Sequence, residues 1–214
     1  MSIRHYSLFD SLIMETDKAL KTVLGKPETT DRPLPGKELE EQELTAQEQA
    51  VSERLMRVNH SGEVSAQALY QGQALTATLP EVRSAMEQAA LEENDHLVWC
   101  KQRVDDFGSH TSVFNPLWYA GSFVMGAVAG KVGDKWSLGF VAETEKQVVK
   151  HLDEHLEQIS EHDEKSRAIL EQMKVDELHH GTIALEAGGA TLPKPIQVVM
   201  GLMSKVMTKT SYWV

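Results

Sequence analysis

Six side chains define the chemistry open to this chain: Glu63, Glu93, His96, Glu145, Glu177 and His180. They fall in two copies of one pattern, a glutamate followed about a helical hairpin later by Glu-x-x-His. The first copy is Glu63 with Glu93-Asn94-Asp95-His96, the second Glu145 with Glu177-Leu178-His179-His180. Residues i and i+3 of a helix project from one face, so each Glu-x-x-His offers a carboxylate and an imidazole to a single point. With 22 Glu and 9 His in 214 residues, roughly one such motif is expected by chance, and a lone copy would mean little. The spacing carries more. The midpoint of 63 and 93 falls inside Thr78-Leu79-Pro80, and that of 145 and 177 inside Ser160-Glu161-His162-Asp163, both turn-like. Antiparallel helices meeting there place all four glutamates about 22 Å from their turns, at 1.5 Å per residue. The ligands then share one height.

Four carboxylates and two imidazoles form a hard, oxygen-rich set. Zinc favours four ligands with more His or Cys, and calcium does not favour two imidazoles, whereas two irons suit the set. Two ferrous ions also balance four ionised glutamates. A Glu from each of two helices with a Glu-x-x-His from each of two others is the ligand arrangement of ferritin-like di-iron or di-manganese bundles. Taken singly, Glu63 or Glu145 reads as a surface glutamate, and His96 or His180 as a hydrogen-bonded core histidine. Jointly, at matching heights, they read as metal ligands. Glu92 and Asp176, each preceding a motif glutamate, are candidates to hydrogen-bond a ligand histidine, or else solvated charges beside the site. Tyr70 and Cys100 read first as core, although Tyr70 lies seven residues after Glu63. His60 is a weaker candidate, and His179 points about 100° away from His180.

The elements that position these residues are helices. A short amphipathic helix over Ser7 to Leu24 carries Leu8, Leu12, Ala19, Leu20, Val23 and Leu24, closed by Gly25. Residues 26–43, rich in Pro, Gly and charge, read as a connector without a functional part. Thr45 with Glu48 forms a capping box opening a helix to about Ala77, and Pro80 suits the first turn of the next, which Gly108 stops. In that second helix Glu93 and His96 interrupt an apolar stripe, a costly placement for a carboxylate unless paired or metal-bound. Asp134 is expected to cap a third long helix, whose stripe of Leu138, Val141, Val148, Val149 and Leu152 selects Glu145 over Glu143. Asp163 is expected to cap a fourth, with Leu170, Met173, Glu177, His180 and Ala184 in register.

Two stretches lack acids in a chain of net charge -11. Between Asp106 and Asp134 lies LWYAGSFVMGAVAG, whose helix from Pro116 to Gly130 spans about 22 Å, short of the ~30 Å hydrocarbon core. It is expected to cross the bundle end to end or to lie in a membrane surface. After Glu186 the tail carries Ile196, Val199, Leu202, Met203, Val206 and Met207 at helical spacing, with Lys194, Lys205 and Lys209 and a terminal Tyr212-Trp213. It reads as a membrane-surface helix, or alternatively as a core-packing terminal helix. The acidic balance argues against a nucleic-acid partner. The single cysteine fits a reducing compartment, and MSIRHYSLFD has no apolar signal core. The expected organisation is an all-α, ferritin-like four-helix bundle with N-terminal, crossover and C-terminal amphipathic helices. It divides into residues 1–44, helix and linker, and 45–214, the di-iron domain with its membrane-associated helices.

RVNHSGE around Glu63, LEENDH ending at His96, VAETEKQVVKHLDEHL around Glu145 and VDELHH ending at His180 resemble the demethoxyubiquinone hydroxylases. The likeness runs from about Thr45 to the C-terminus. It implies that the six residues named above are iron ligands, with two Fe ions per chain. It further implies an O2-dependent monooxygenase of ubiquinone biosynthesis that hydroxylates the ring of a demethoxyubiquinol, with electrons from the quinol itself or from NADH. Its partners are then a polyprenyl quinol and the cytoplasmic face of the cell membrane, held peripherally, with room for a homo-oligomer or a biosynthetic complex. The family carries a tyrosine where Leu152 stands, so a role for that tyrosine in electron transfer does not carry over. The competing reading is a ferritin-like iron-binding or storage protein without hydroxylase activity, which predicts no membrane-seeking tail.

Overall fold

The computed structural model describes residues 8–214, with the side chains of Leu8, Ser11 and Leu12 outside that description. The expectations for Ser7, for the side chains of Leu8 and Leu12 and for the first residues of MSIRHYSLFD thus lie outside the described residues. The described chain forms seven helices: α1 (Leu8–Leu24), α2 (Ala46–Thr76), α3 (Pro80–Asp106), α4 (Asn115–Val132), α5 (Asp134–Leu156), α6 (Glu164–Glu186) and α7 (Lys194–Ser211). Both expected turns fall between helices, α2 to α3 and α5 to α6.

Local chemistry sets the ends. The Thr45 hydroxyl accepts from Glu48 N–H while the Glu48 carboxylate accepts from Thr45 N–H, a closed capping box that satisfies donors the first turn would otherwise leave free. Pro80 opens α3, where its missing N–H costs nothing. Gly108 leaves α3 at φ 67°, a left-handed conformation suited to glycine. Asp163 caps α6 by accepting from Ser166 N–H at 3.1 Å. Asp134 departs from expectation. It is the first residue of α5, and Gly133 holds the cap position. Its carboxylate accepts instead from Thr78 N–H at 3.0 Å and Leu79 N–H at 2.9 Å, pinning the start of α5 to the α2–α3 turn. Thr78 and Leu79 lie between α2 and α3, where their amides have no helical carbonyl to bond, and the carboxylate satisfies both.

Long-range bonds fix the topology. Gln73 donates to Ser137 and Asn59 pairs with His155, so α2 and α5 run antiparallel. His96 meets Asp176 and Arg103 meets Asp163, so α3 and α6 do the same. With the two hairpins this makes a ferritin-like four-helix bundle. The connection from α3 to α5 crosses the bundle, and within it α4 lies along the second half of α2, starting near the ligand level where Asn115 accepts from Ser61 Oγ at 2.8 Å and finishing where Thr76 Oγ1 donates to Ala127 O at 3.0 Å. The two helices approach backbone to backbone, and a Cβ on Gly72 or Gly126 would strike the partner's main chain.

The core has one apolar layer on each side of the ligand level. Met56, Cys100, Leu152, Leu170 and Met173 fill the first, and Tyr70, Met86, Leu138, Val141 and Ala184 the second. Cys100 is small core, as expected, and Leu152 packs in the same layer. Connector residues 26–43 are tied down by two arginines. Arg103, itself buried, binds Asp163 and Glu41 together, each at 2.7 Å, while Arg32 reaches into the bundle.

Candidate metal centre

α2, α3, α5 and α6 each bury acid at one level. Glu63, Glu93, Glu145 and Glu177 are all at most 3% exposed, with His96 at 0% and His180 at 7%. Each sits on the apolar stripe of its helix, so helical periodicity alone aims all six inward. Glu143, one step off the stripe, turns aside to Gln147 at 2.9 Å and Lys146 at 3.1 Å.

Each imidazole turns Nδ1 to the carboxylates. His96 Nδ1 lies 3.1 Å from Glu93 Oε2, 3.2 Å from Glu177 Oε1 and 3.7 Å from Glu63 Oε2. His180 Nδ1 lies 3.1 Å from Glu93 Oε1 and 3.6 Å from Glu177 Oε2. Glu93 and Glu177 therefore present one oxygen to each histidine, while Glu63 flanks the His96 side. Ligand atoms of Glu63, Glu93, His96 and Glu177 all fall within 4.8 Å of one another. Glu145 completes the ring beside Glu177 and accepts from the Tyr70 hydroxyl.

The outer nitrogens are held crosswise. His96 Nε2 donates to Asp176 Oδ2 at 2.8 Å, and His180 Nε2 donates to Glu92 Oε2 at 2.8 Å. Each histidine is thus held by the residue that precedes the motif glutamate of the opposite hairpin. Of the remaining candidates, His60 is buried against Asn115 Nδ2 at 3.2 Å and His179 is exposed, both outside the cluster.

Four buried carboxylates face only two imidazoles in this cavity. Burial, with Glu93 and Glu177 close by, pushes Glu63 well above the usual carboxylate range, and burial with Glu177 and Glu93 does the same to Glu145. Burial opposes ionisation of the histidines too, yet Glu93 lifts His96 well above the imidazole range, and Glu177 with Glu93 takes His180 to about 12. Burial would also raise Glu93, but His96 and His180 hold it low. The group lacks positive charge for four carboxylates. Buried Glu63 Oε2, Glu93 Oε1, Glu145 Oε2, Glu177 Oε2 and His180 Nδ1 make no aligned hydrogen bond, and the contacts of His180 Nδ1 with Glu93 and Glu177 are ion-pair approaches only, a costly condition for buried polar atoms unless a cation takes them. These orphaned atoms fit hard cations bound by carboxylate and imidazole.

Sequence reasoning missed Arg32, Thr30 and Asp95. Asp95 is buried inside LEENDH, accepts from Thr30 N–H at 2.9 Å and from Arg32 Nε at 2.6 Å, and Arg32 Nη1 reaches Asp176 Oδ2 at 2.8 Å. The connector is therefore part of the site's surroundings, contrary to the expectation that it has no functional part. An acid between the Glu and His of the motif was the only signal.

Beside the ligand level a cavity of about 390 Å³ opens among α2, α4, α5 and α7, lined by Ala66, Leu69, Met125, Phe140, Met203 and Met207 among others. Gly62 and Ala66 of its wall flank Glu63 in α2, and Thr144 and Val148 flank Glu145 in α5. The helices at its mouth leave large apolar residues in solvent, Leu117 and Val124 on α4 and Val199, Leu202 and Val206 on α7. In α7 only Ser211 is buried, so this helix is not a core-packing terminus. No helix among the described residues is long and apolar enough to cross a membrane.

The chain matches the family model described as Ubiquinone biosynthesis protein COQ7 over residues 50–211. It is 61% identical over 214 residues to a 3-demethoxyubiquinol 3-hydroxylase of Nitrosococcus oceani, covering 100% of both chains. A protein of the same name from Ectopseudomonas mendocina is 60% identical over 211 residues, 99% of this chain and 98% of its own. One from Nitrosomonas eutropha is 56% identical over 205 residues, 96% and 98% of the two chains.

Proposed function

This chain belongs to the COQ7 family of ubiquinone biosynthesis proteins, and we propose that it is a di-iron monooxygenase that hydroxylates the ring of a demethoxyubiquinol. The observation that carries the reading is the set of orphaned carboxylate oxygens and imidazole nitrogen converging at one buried level beside an apolar cavity. Glu63, Glu93, His96, Glu145, Glu177 and His180 would hold two irons. The chemistry that two bound irons supply is reductive activation of O2 and delivery of one oxygen atom to the ring.

The chain's own residues prepare that chemistry. Asp176 and Glu92 hold the imidazole Nε2–H groups and leave Nδ1 free to ligate. Tyr70 steadies one oxygen of Glu145 and leaves the other free. The apolar layers above and below the ligands keep water from the reacting atoms. The cavity walls take the quinol ring between α2 and α5, beside Glu63 and Glu145. Its polyprenyl tail leaves between α4 and α7, whose exposed apolar residues and acid-free sequences suit a lipid surface on which the chain sits peripherally, at the cytoplasmic face of the membrane. Electrons come from the quinol itself or from NADH. The relatives are named as hydroxylases, which favours catalysis over iron storage.

A turnover assay tests this reading. Protein loaded anaerobically with ferrous iron is mixed with O2 and a demethoxyubiquinol, and the quinol pool is followed by mass spectrometry. The reading expects a product heavier by one oxygen atom. Iron oxidised without change in the quinol, with many irons gathered per chain, would point to storage.

A further inference from the structure

The two halves of the ligand cluster repeat one another, but their supports do not. On one side His180 is held by Glu92, whose other oxygen accepts from the Gln88 amide at 2.7 Å, a neighbour on the same helix. On the other side His96 is held by Asp176, and the oxygen that accepts from His96 Nε2 also accepts from Arg32 Nη1 at 2.8 Å. Arg32 comes from the connector before α2, 63 residues from Asp95 and 144 from Asp176. The same guanidinium donates through Nε to buried Asp95 at 2.6 Å, and Asp95 is fastened to Thr30 N–H. It also lies over the Trp99 ring at 5.0 Å, and Trp99 packs on His96 at 5.4 Å. Arg32 thus acts on His96 by two routes, through the carboxylate that accepts from its Nε2 and through the indole against its ring.

We propose that Arg32 is a positioning residue that bridges to the metal position on the His96 side and not to its counterpart, so that the N-terminal connector makes the two positions unequal. A planar guanidinium suits the task because it bridges two carboxylates and stacks on an aromatic face at once, which an ammonium does not. Partners that orient a ligand histidine typically change metal affinity 10–100-fold when removed. Arg32 makes no hydrogen bond to Glu92 and acts on it only by its charge, so loss of the bridge falls mainly on the His96 position. The proposal rests on the two-metal reading above.

Anaerobic titration of the full apo chain with cobalt(II), read by its visible absorption, and with ferrous iron, tests the idea. Wild type fills two positions. Arg32→Gln weakens one of them at least tenfold and leaves the other, and Arg32→Lys restores part of the loss. Glu41→Gln cuts a different tie of the connector, to Arg103, and leaves both positions intact. Equal weakening of both positions by Arg32→Gln, no weakening at all, or the same loss in Glu41→Gln would overturn the proposal. Nitrogen NMR of the imidazoles in apo protein separates this from failure of the two-metal reading. It expects Arg32→Gln to move the His96 ring signals and leave those of His180 in place, whatever metals the wild type binds. Unmoved His96 signals would count against Arg32.

Discussion

The Tyr70 hydroxyl donates to Oε1 of Glu145 across the α2–α5 contact, and Oε2 of the same carboxylate is buried without a partner. One oxygen is thereby fixed by the protein while the other is offered to the site. Tyr70→Phe leaves both oxygens unpartnered, and a buried acceptor stripped of its donor costs roughly 1–3 kcal/mol. Urea unfolding of the apo protein should show a loss of that order while two irons still bind. An unchanged midpoint would mean that Tyr70 does not support Glu145.

The stripe of α5 separates two glutamates two residues apart. Glu145→Gln should lose at least one of the two irons, because a buried carboxylate aimed at the cluster is removed. Glu143→Gln should keep both, since Glu143 turns to Lys146 and Gln147. Iron per chain after gel filtration checks this, and equal losses would mean that the ligand set is wrong.

Membrane docking is expected to use the end of α7. Lys205 and Lys209 are exposed beside the apolar Leu202 and Val206. A prenyl tail gains about 0.8 kcal/mol per methylene in lipid, so the substrate is expected to be met at the bilayer. Lys205→Glu with Lys209→Glu should weaken binding to anionic vesicles and slow turnover of a long-tailed quinol, yet spare iron content and activity on a short-tailed analogue. Salt should weaken wild-type binding as well. Wild-type affinity in the doubly substituted protein would remove these lysines from the dock.

His155 is buried against Asn59 at 2.9 Å, and burial, helped by His151, lowers its pKa to about 4. The unfolded chain takes up this proton near the ordinary value of about 6.5 and the folded chain does not, so this histidine's contribution to stability is full above that pH and falls as pH drops toward about 4. Unfolding of metal-loaded protein at pH 7.5 and 5.5 should therefore show a smaller acid loss in His155→Gln than in wild type, by about 1 kcal/mol. Identical losses would mean that His155 does not stay neutral in the fold.

What the sequence made legible follows from helical periodicity. Period and turn spacing bring Glu63, Glu93, Glu145 and Glu177 to one level because rise per residue is fixed in a helix. An end-to-end crossing was one of two readings of α4, and it holds for the connection from α3 to α5 but not for the helix itself, which starts beside Ser61 midway along α2. The supports were harder. Glu92 and Asp176 stood out beside the motif glutamates, but that each serves the opposite hairpin depends on how α3 and α6 pack. Arg32 binds Asp95 and Asp176, 63 and 144 residues away, and no local pattern marks such a pairing. Asp134 misled for the same reason, since a capping residue also suits two free amides in a distant turn.

The most direct measurement is the origin of the added oxygen atom. Ferrous-loaded protein in vesicles is given a demethoxyubiquinol under isotopically labelled O2 in ordinary water, and the product is analysed by mass spectrometry. The account predicts one labelled oxygen atom on the ring, and none when the label is in the water. Label arriving from water, or iron oxidised while the quinol stays unchanged, would contradict it.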